Sequence, residues 1–320
     1  MSPSAMNRYA TRCFNVPECQ WHSTRPIVPR MIRGIIAVAG IIFVSLDWAN
    51  TGLFAQFSSG VQLIEVYATV TDAKGELVMG LRQSDFQVFE NDRPQEISAF
   101  AAGEFPLTVA LGVDRSFSMA GEPLRLAKLA SQSFLKQLKT GDRSMIVAIG
   151  NNAEVIAPLS TDREAQSQAI AKLDAWSTTS LYDAVIVALD RLEPEKGRQA
   201  LIVFSDGADR YSQATSGQVL ARARRSQALV YPITMGKTRV PAAVELATLT
   251  GGRSFLLRDA KELERTLSTI ARELRYQYLI GYVPGTPAKP GLHEWRSIRV
   301  TLKNPANGMR VRARDGYTAE

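Results

Sequence analysis

Asp114, Ser116 and Ser118 occupy alternate positions in VDRSFSM (113–119), directly after the apolar run LTVALG. In an extended or looping backbone alternate side chains point the same way, so these three oxygen donors can converge on one point. Hard oxygen donors of this kind suit a hard cation. The same residue types also punctuate strand-to-helix loops and cap the helix that follows, so the triplet alone leaves both uses open. Two other segments carry comparable groups. WSTTSLYDA (176–184) has Thr179 just ahead of a helical stretch and Asp183 in its first turn, and FSDG (204–207) has Asp206 at the end of another apolar run. For STTSLYD a simple helix cap would also suffice.

The surrounding periodicity says what positions these groups. Strand-like runs LTVALGV (107–113), MIVAIG (145–150), ALIVFS (200–205) and LVYPITM (229–235) alternate with helical stretches at 124–138, 162–173, 181–192 and 217–227. Near-continuous apolar strands between amphipathic helices predict an α/β unit with a Rossmann-like, doubly wound, mostly parallel sheet covered on both faces. A short pair around 154–159 is expected to add an antiparallel edge, and RSFLL with the helix at 261–274 closes the unit. In such sheets ligands gather outside the carboxyl ends of the strands near a topological switch point, where Asp114 and Asp206 both stand.

On either side the texture changes. LIEVYATV and FQVFE before 104, and YQYLIGYVP, WRSIRVTLKN and MRVRARDGY after 275, show strand-like runs separated by turn clusters. Each flank is only about 45 residues, marginal for a core of its own. The expected organisation is therefore a signal segment at 1–55, a β flank at 56–104, the α/β domain at 105–275, and a second flank at 276–320 that pairs with the first in a small antiparallel β-sandwich.

Together these residues resemble the von Willebrand factor A domain. The metal-ion-dependent adhesion site of that family reads Asp-x-Ser-x-Ser, then Thr, then Asp, and Asp114, Ser116, Ser118, Thr179 and Asp206 match it in order and spacing. The flanks, with VTDAKGELVMGLRQSDFQVFEND ahead of the domain and YLIGY and RARDGY behind it, are similar to a bacterial secreted group. The resemblance implies direct ligation of Mg²⁺ (or Mn²⁺ or Ca²⁺) by Ser116, Ser118 and Thr179, with Asp114 and Asp206 acting partly through water. It also implies a protein partner that presents an Asp or Glu to the ion. Two carboxylates offset a divalent charge while hydroxyls add ligands without further negative charge, which keeps the ion attractive to a carboxylate. Trp176 and Tyr211 are expected to rim this face. Arg115, Arg210, Lys237 and Arg239 should make it electropositive, and Arg115, Trp176, Arg210 and Tyr211 are the candidate partner contacts. The Arg222, Arg224, Arg225 cluster reads as a solvated helix face.

Enzymatic readings find little support. His22 and His293 are the only histidines, so a His-based triad or His-ligated zinc site has no members. Asp114 and Asp206 as a hydrolytic pair would lack a further base or second metal. No G-x-G-x-x-G follows the first strand, and GKT at 236–238 lacks the earlier glycine of a phosphate loop because position 231 is Tyr. No catalytic residue and no small-molecule substrate is expected. A structural subunit of an envelope complex, whose metal only stabilises loops, is the alternative, and a metal-dependent hydrolase is the weakest reading.

The 320 residues are 45% hydrophobic and 22% charged, as in ordinary globular proteins. The net charge is +7, but residues 1–55 hold five basic and two acidic residues, leaving +4 on the remainder. Without a dense basic tract interleaved with aromatics, nucleic acid is not an expected partner. Arg25, Arg30 and Arg33 precede GIIAVAGIIFVSL (34–46), with Ala55 beyond it, which reads as a secretory signal whose start could be Met31. The run is short for a membrane span, though an uncleaved N-terminal anchor is the alternative. Cys13 and Cys19 both lie in this leader, so a secreted or periplasmic mature chain would have no disulfide.

Overall fold

A computed structural model describes residues 63–319 apart from 208, 289, 290 and 307, so the expected signal segment lies outside the described residues. The elements in chain order are β1 (Ile64–Thr71), β2 (Phe86–Glu90), β3 (Arg93–Gln95), β4 (Ile97–Ala102), β5 (Leu107–Asp114), α1 (Glu122–Gln137), β6 (Arg143–Ile149) and β7 (Ala153–Ser160). Then come α2 (Arg163–Ala171), α3 (Leu181–Leu192), β8 (Arg198–Ser205), α4 (Ser216–Arg225), β9 (Leu229–Met235), α5 (Pro241–Thr250), β10 (Phe255–Leu257) and α6 (Leu263–Arg275). The last strands are β11 (Tyr278–Tyr282), β12 (Glu294–Leu302), β13 (Arg310–Arg312) and β14 (Gly316–Ala319).

Six strands form the central sheet in the order β10-β9-β8-β5-β6-β7, parallel except for the edge strand β7. Every residue of β5 and β8 is buried, because helices cover both faces. Leu107, Val109, Leu111 and Val113 of β5 pack with Phe134 of α1 and Ile270 of α6. On the other face Ala110, Val147 and Leu201 meet α3, α4 and α5 through Leu189, Val219 and Leu246. The chain leaves β5 for β6 on one side and later returns as β8 on the other, so the sheet is doubly wound with its switch point at β5.

The flanking strands make two further four-stranded sheets, β13-β1-β11-β4 and β14-β12-β2-β3, and each draws strands from both sides of the α/β region. β1 pairs with β11, Val66 opposite Ile280, and β2 pairs with β12, Val88 opposite Val300. Phe86, Val88, Ile280, Tyr282 and Tyr317 fill one core between the two sheets. The turn at Asn91 and Asp92, with φ of 47° and 59°, is left-handed at both positions, as a tight hairpin between β2 and β3 demands. The α/β region thus sits between β4 and β11 of an antiparallel sandwich, and the described residues form one compact unit.

The helix α5 is an element that sequence periodicity did not bring out. The Arg222 expectation is corrected: Arg222 is buried, its guanidinium held by Asp190 at 2.5 Å and Glu193 at 3.2 Å, while Arg224 lies 5.9 Å over the ring of Trp295. Arg224 is half-buried and Arg225 is exposed, so the solvated reading fails for Arg222 alone.

Candidate metal centre

Asp114 is the last residue of β5 and Ser205 ends the neighbouring β8, so parallel pairing sets them side by side. The Ser205 hydroxyl donates to Asp114 Oδ2 at 2.6 Å, and the Ser116 N–H donates to Oδ1 at 2.8 Å. Ser116 and Ser118 lie with their hydroxyl oxygens 3.0 Å apart, Ser116 buried and Ser118 exposed at the mouth. The alternation read from the sequence therefore does bring these side chains to one place.

Thr179 arrives through backbone links. Ser116 and Ser177 form a parallel bridge, Phe117 N–H donates to the Ser177 carbonyl, and Trp176 N–H donates to that of Arg115. From the other side Arg210 and Tyr211 both donate their N–H groups to the Thr179 carbonyl, which joins the loop after β8 to the same spot. The helix-cap reading of STTSLYD is not realised. The first N–H groups of α3, from Leu181 and Tyr182, go to Asp209 Oδ1 of that neighbouring loop, and Asp183 accepts from Gln213 and Ala214. Ser180 provides no side-chain cap.

A positioning residue that the sequence reading missed is Asn151, just past β6. Its Oδ1 accepts from the Ser177 hydroxyl, the Thr178 N–H and the Thr178 hydroxyl. Its carbonyl accepts the Ser180 hydroxyl at 2.6 Å. The only sequence signal was the turn cluster Gly150-Asn151-Asn152.

The electrostatics follow from this packing. Burial is the main force pushing the Asp114 carboxyl above the usual range, the Ser205 and Ser116 hydrogen bonds oppose it, and the charge of Asp206 adds to it. Two carboxylates with three hydroxyl-bearing side chains are a donor set that fits a hard divalent cation. Among the described residues no three His, Cys, Asp or Glu side chains gather where they could hold a metal ion, so any cation here would depend on hydroxyl donors.

Around this centre three aromatic side chains are exposed: Phe117 at 65%, Trp176 at 55% and Tyr211 at 62%. Phe117 was missed because it fills a variable position between the two serines. Arg210 and Lys237 are exposed, whereas Arg239, expected on this face, lines a cleft between α5 and the sandwich strands. Arg115 differs from expectation. Its side chain is mostly covered, stacked 4.8 Å over Trp176 and paired with Glu154 at 3.3 Å, so it supports Trp176 and presents no free charge.

Fold and site together define an α/β domain with hydroxyl and carboxylate groups at its switch point. Residues 109–209 match the sequence model of the von Willebrand factor type A domain. A UPF0353 protein of Mycolicibacterium paratuberculosis is 25% identical over 227 residues, covering 60% of this chain and 66% of that protein. This chain thus spans just under two thirds of that relative's length. Among solved structures, a von Willebrand factor type A protein from Catenulispora acidiphila superposes with a TM-score of 0.48 at 14% identity, over 82% of this chain and 75% of that one. The vWF domain of the type V pili tip protein Mfa5 from Porphyromonas gingivalis gives 0.46 at 12% identity, over 53% and 95%.

Proposed function

We propose that the protein is a metal-dependent protein-binding module, in which Asp114, Ser116, Ser118, Thr179 and Asp206 hold a divalent cation, Mg²⁺ foremost. When bound, the cation supplies an electrophilic seat for a carboxylate oxygen of a partner protein. Asp114 and Asp206 supply the counter-charge, the hydroxyls supply neutral donors, and Asn151, Asp209 and Asp183 hold the three loops in register. Phe117, Trp176 and Tyr211 offer apolar contact around that seat, with Arg210 and Lys237 attracting acidic surface. The role is adhesion or assembly, without catalysis.

The observation that carries this reading is the meeting of the Asp114, Thr179 and Asp206 loops at the ends of adjacent strands. A purely structural metal is disfavoured, because the Ser116–Ser177 bridge and the backbone N–H groups that donate to Asn151, Asp209 and Asp183 already join these loops. Capture from the native organism with and without EDTA tests the reading. Retention of a partner in Mg²⁺ and its loss in EDTA and in Asp114→Ala is expected. If chelation only lowers the melting temperature while the partner stays bound, the structural alternative replaces it.

Export with removal of residues through about Ala55 belongs to the same proposal. Among the described residues no helix is long and apolar enough to cross a membrane. N-terminal sequencing of the exported protein should begin near residue 56, and an intact membrane-bound leader would refute cleavage.

A further inference from the structure

Away from the metal centre, an open cleft of about 440 Å³ runs between α5 and the sandwich strands β12 and β13. Five arginines line it: Arg239 from the loop after β9, Arg253 ahead of β10, Arg299 on β12, Arg312 on β13, and Arg314 just beyond. Asp315 is its one acidic lining residue. Among the described residues, Arg312 pairs with Glu273 and Arg299 with Asp92, while Arg239, Arg253 and Arg314 make no ion pair. Glu273 and Asp92 each pair with one arginine from outside the lining and Asp315 lies within it, so the five arginines outnumber these acids by two.

The guanidinium groups are also held in place. Arg253 stacks 4.8 Å over Phe255 and Arg299 stacks 4.2 Å over Phe89. A stacked guanidinium keeps its N–H donors in the ring-parallel plane, the fork that phosphate oxygens accept in pairs. Arg314 donates its Nε to the Gly316 carbonyl at 2.6 Å, and Arg312 donates its Nε to the Gly251 carbonyl at 3.0 Å, so backbone anchors fix both. Burial lowers Arg314 to about 10, with Asp315 and two phenols opposing the shift, and lowers Arg312, with the charge of Arg253 adding to the shift. Like charges brought this close call for a counter-anion.

We propose that this cleft binds a compact anion carrying two or more phosphate groups, at a site separate from the metal centre. A single phosphate engages one or two of the forks, whereas linked phosphates can span Arg253, Arg239 and Arg299 within a cleft of small-ligand size. The cleft joins α5 to the sandwich, so an anion there also ties the two parts together.

Calorimetric titration of the full chain with tripolyphosphate, in metal-free buffer at fixed ionic strength, tests this. Saturable binding is expected, with orthophosphate at least about tenfold weaker. Arg239→Gln with Arg253→Gln, both exposed positions, should weaken tripolyphosphate by about tenfold or more. Arg258→Gln with Arg265→Gln removes equal charge elsewhere on the surface and should bind as wild type. Absence of saturable binding, equal affinity for orthophosphate, an unaffected cleft variant, or an equal loss in the control pair would each overturn the proposal.

Discussion

Asp142 shows how one buried side chain can hold a junction. It accepts the Leu107 and Lys139 N–H groups at 2.9 and 2.7 Å and pairs with Arg275 at the end of α6. Burial works against its ionisation, but the Arg275 hydrogen bond and the two backbone donors outweigh it and hold the carboxyl below the usual range. A folded pKa below the unfolded value gives stability that is full above the unfolded pKa, near 4, and is lost as pH falls through the folded one. Asp142→Asn should therefore cost about 3 kcal/mol at neutral pH, because Arg275 is left uncompensated, and should flatten the acid dependence. Urea unfolding at several pH values checks this, and parallel pH profiles in the two proteins would contradict it. The side chains of the proposed cation site could be picked out because they sit at fixed offsets from apolar runs. Asn151 and the pairing of Arg115 with Glu154 were not, since each depends on contacts between segments far apart in the chain, and Phe117 stands at a position the motif leaves open.

Among the elements, β5, β6, β8 and β9 could be read directly, since burial on both faces leaves unbroken apolar runs. α5 could not. PAAVELATLT is apolar on most faces, and Ala243, Leu246, Ala247, Leu249 and Thr250 are all buried, so no polar stripe marks its period. Its signals were Pro241 at the start and Gly251, at φ 78°, at the end. The turn after β8 makes the element-level demand on the site. Gly207 has φ of 84°, and a Cβ there would lie 2.5 Å from Val240 Cγ2 and 2.8 Å from Thr234 Cγ2. Gly207→Ala combines left-handed strain with overpacking and should destabilise the fold by about 2–3 kcal/mol. Because Asp206 is its neighbour, Mg²⁺ affinity should fall as well. Thermal unfolding with and without Mg²⁺ measures both, and a wild-type result in both would refute the role given to this turn.

For the whole molecule, the sandwich and the α/β domain share more than two connections. Arg198 at the start of β8 is fully buried between Tyr67 and Phe105, with centroid distances of 5.3 and 5.1 Å. Arg312 of β13 reaches Glu273 of α6, which also accepts the Tyr231 hydroxyl at 2.7 Å. We expect a 105–275 fragment to fold, since its sheet carries two covered faces, but at a lower melting temperature than the full chain. A 56–104 fragment should remain unfolded, because its strands find their partners in β11 and β12. Circular dichroism melts decide this, and cooperative unfolding of the shorter fragment would refute the split sandwich. The flank pairing was foreseeable from the size of each piece, whereas Arg198 and the arginine cleft exist only where distant strands meet. The proposed cation dependence is tested most directly by calorimetric titration of Mg²⁺ into the wild type and into Asp114→Ala. Asp114 stands at the rim of the sheet, so the variant should keep its circular dichroism spectrum while losing at least about tenfold in Mg²⁺ affinity. Equal Mg²⁺ affinity in the two proteins, or no binding by the wild type, would contradict the metal centre.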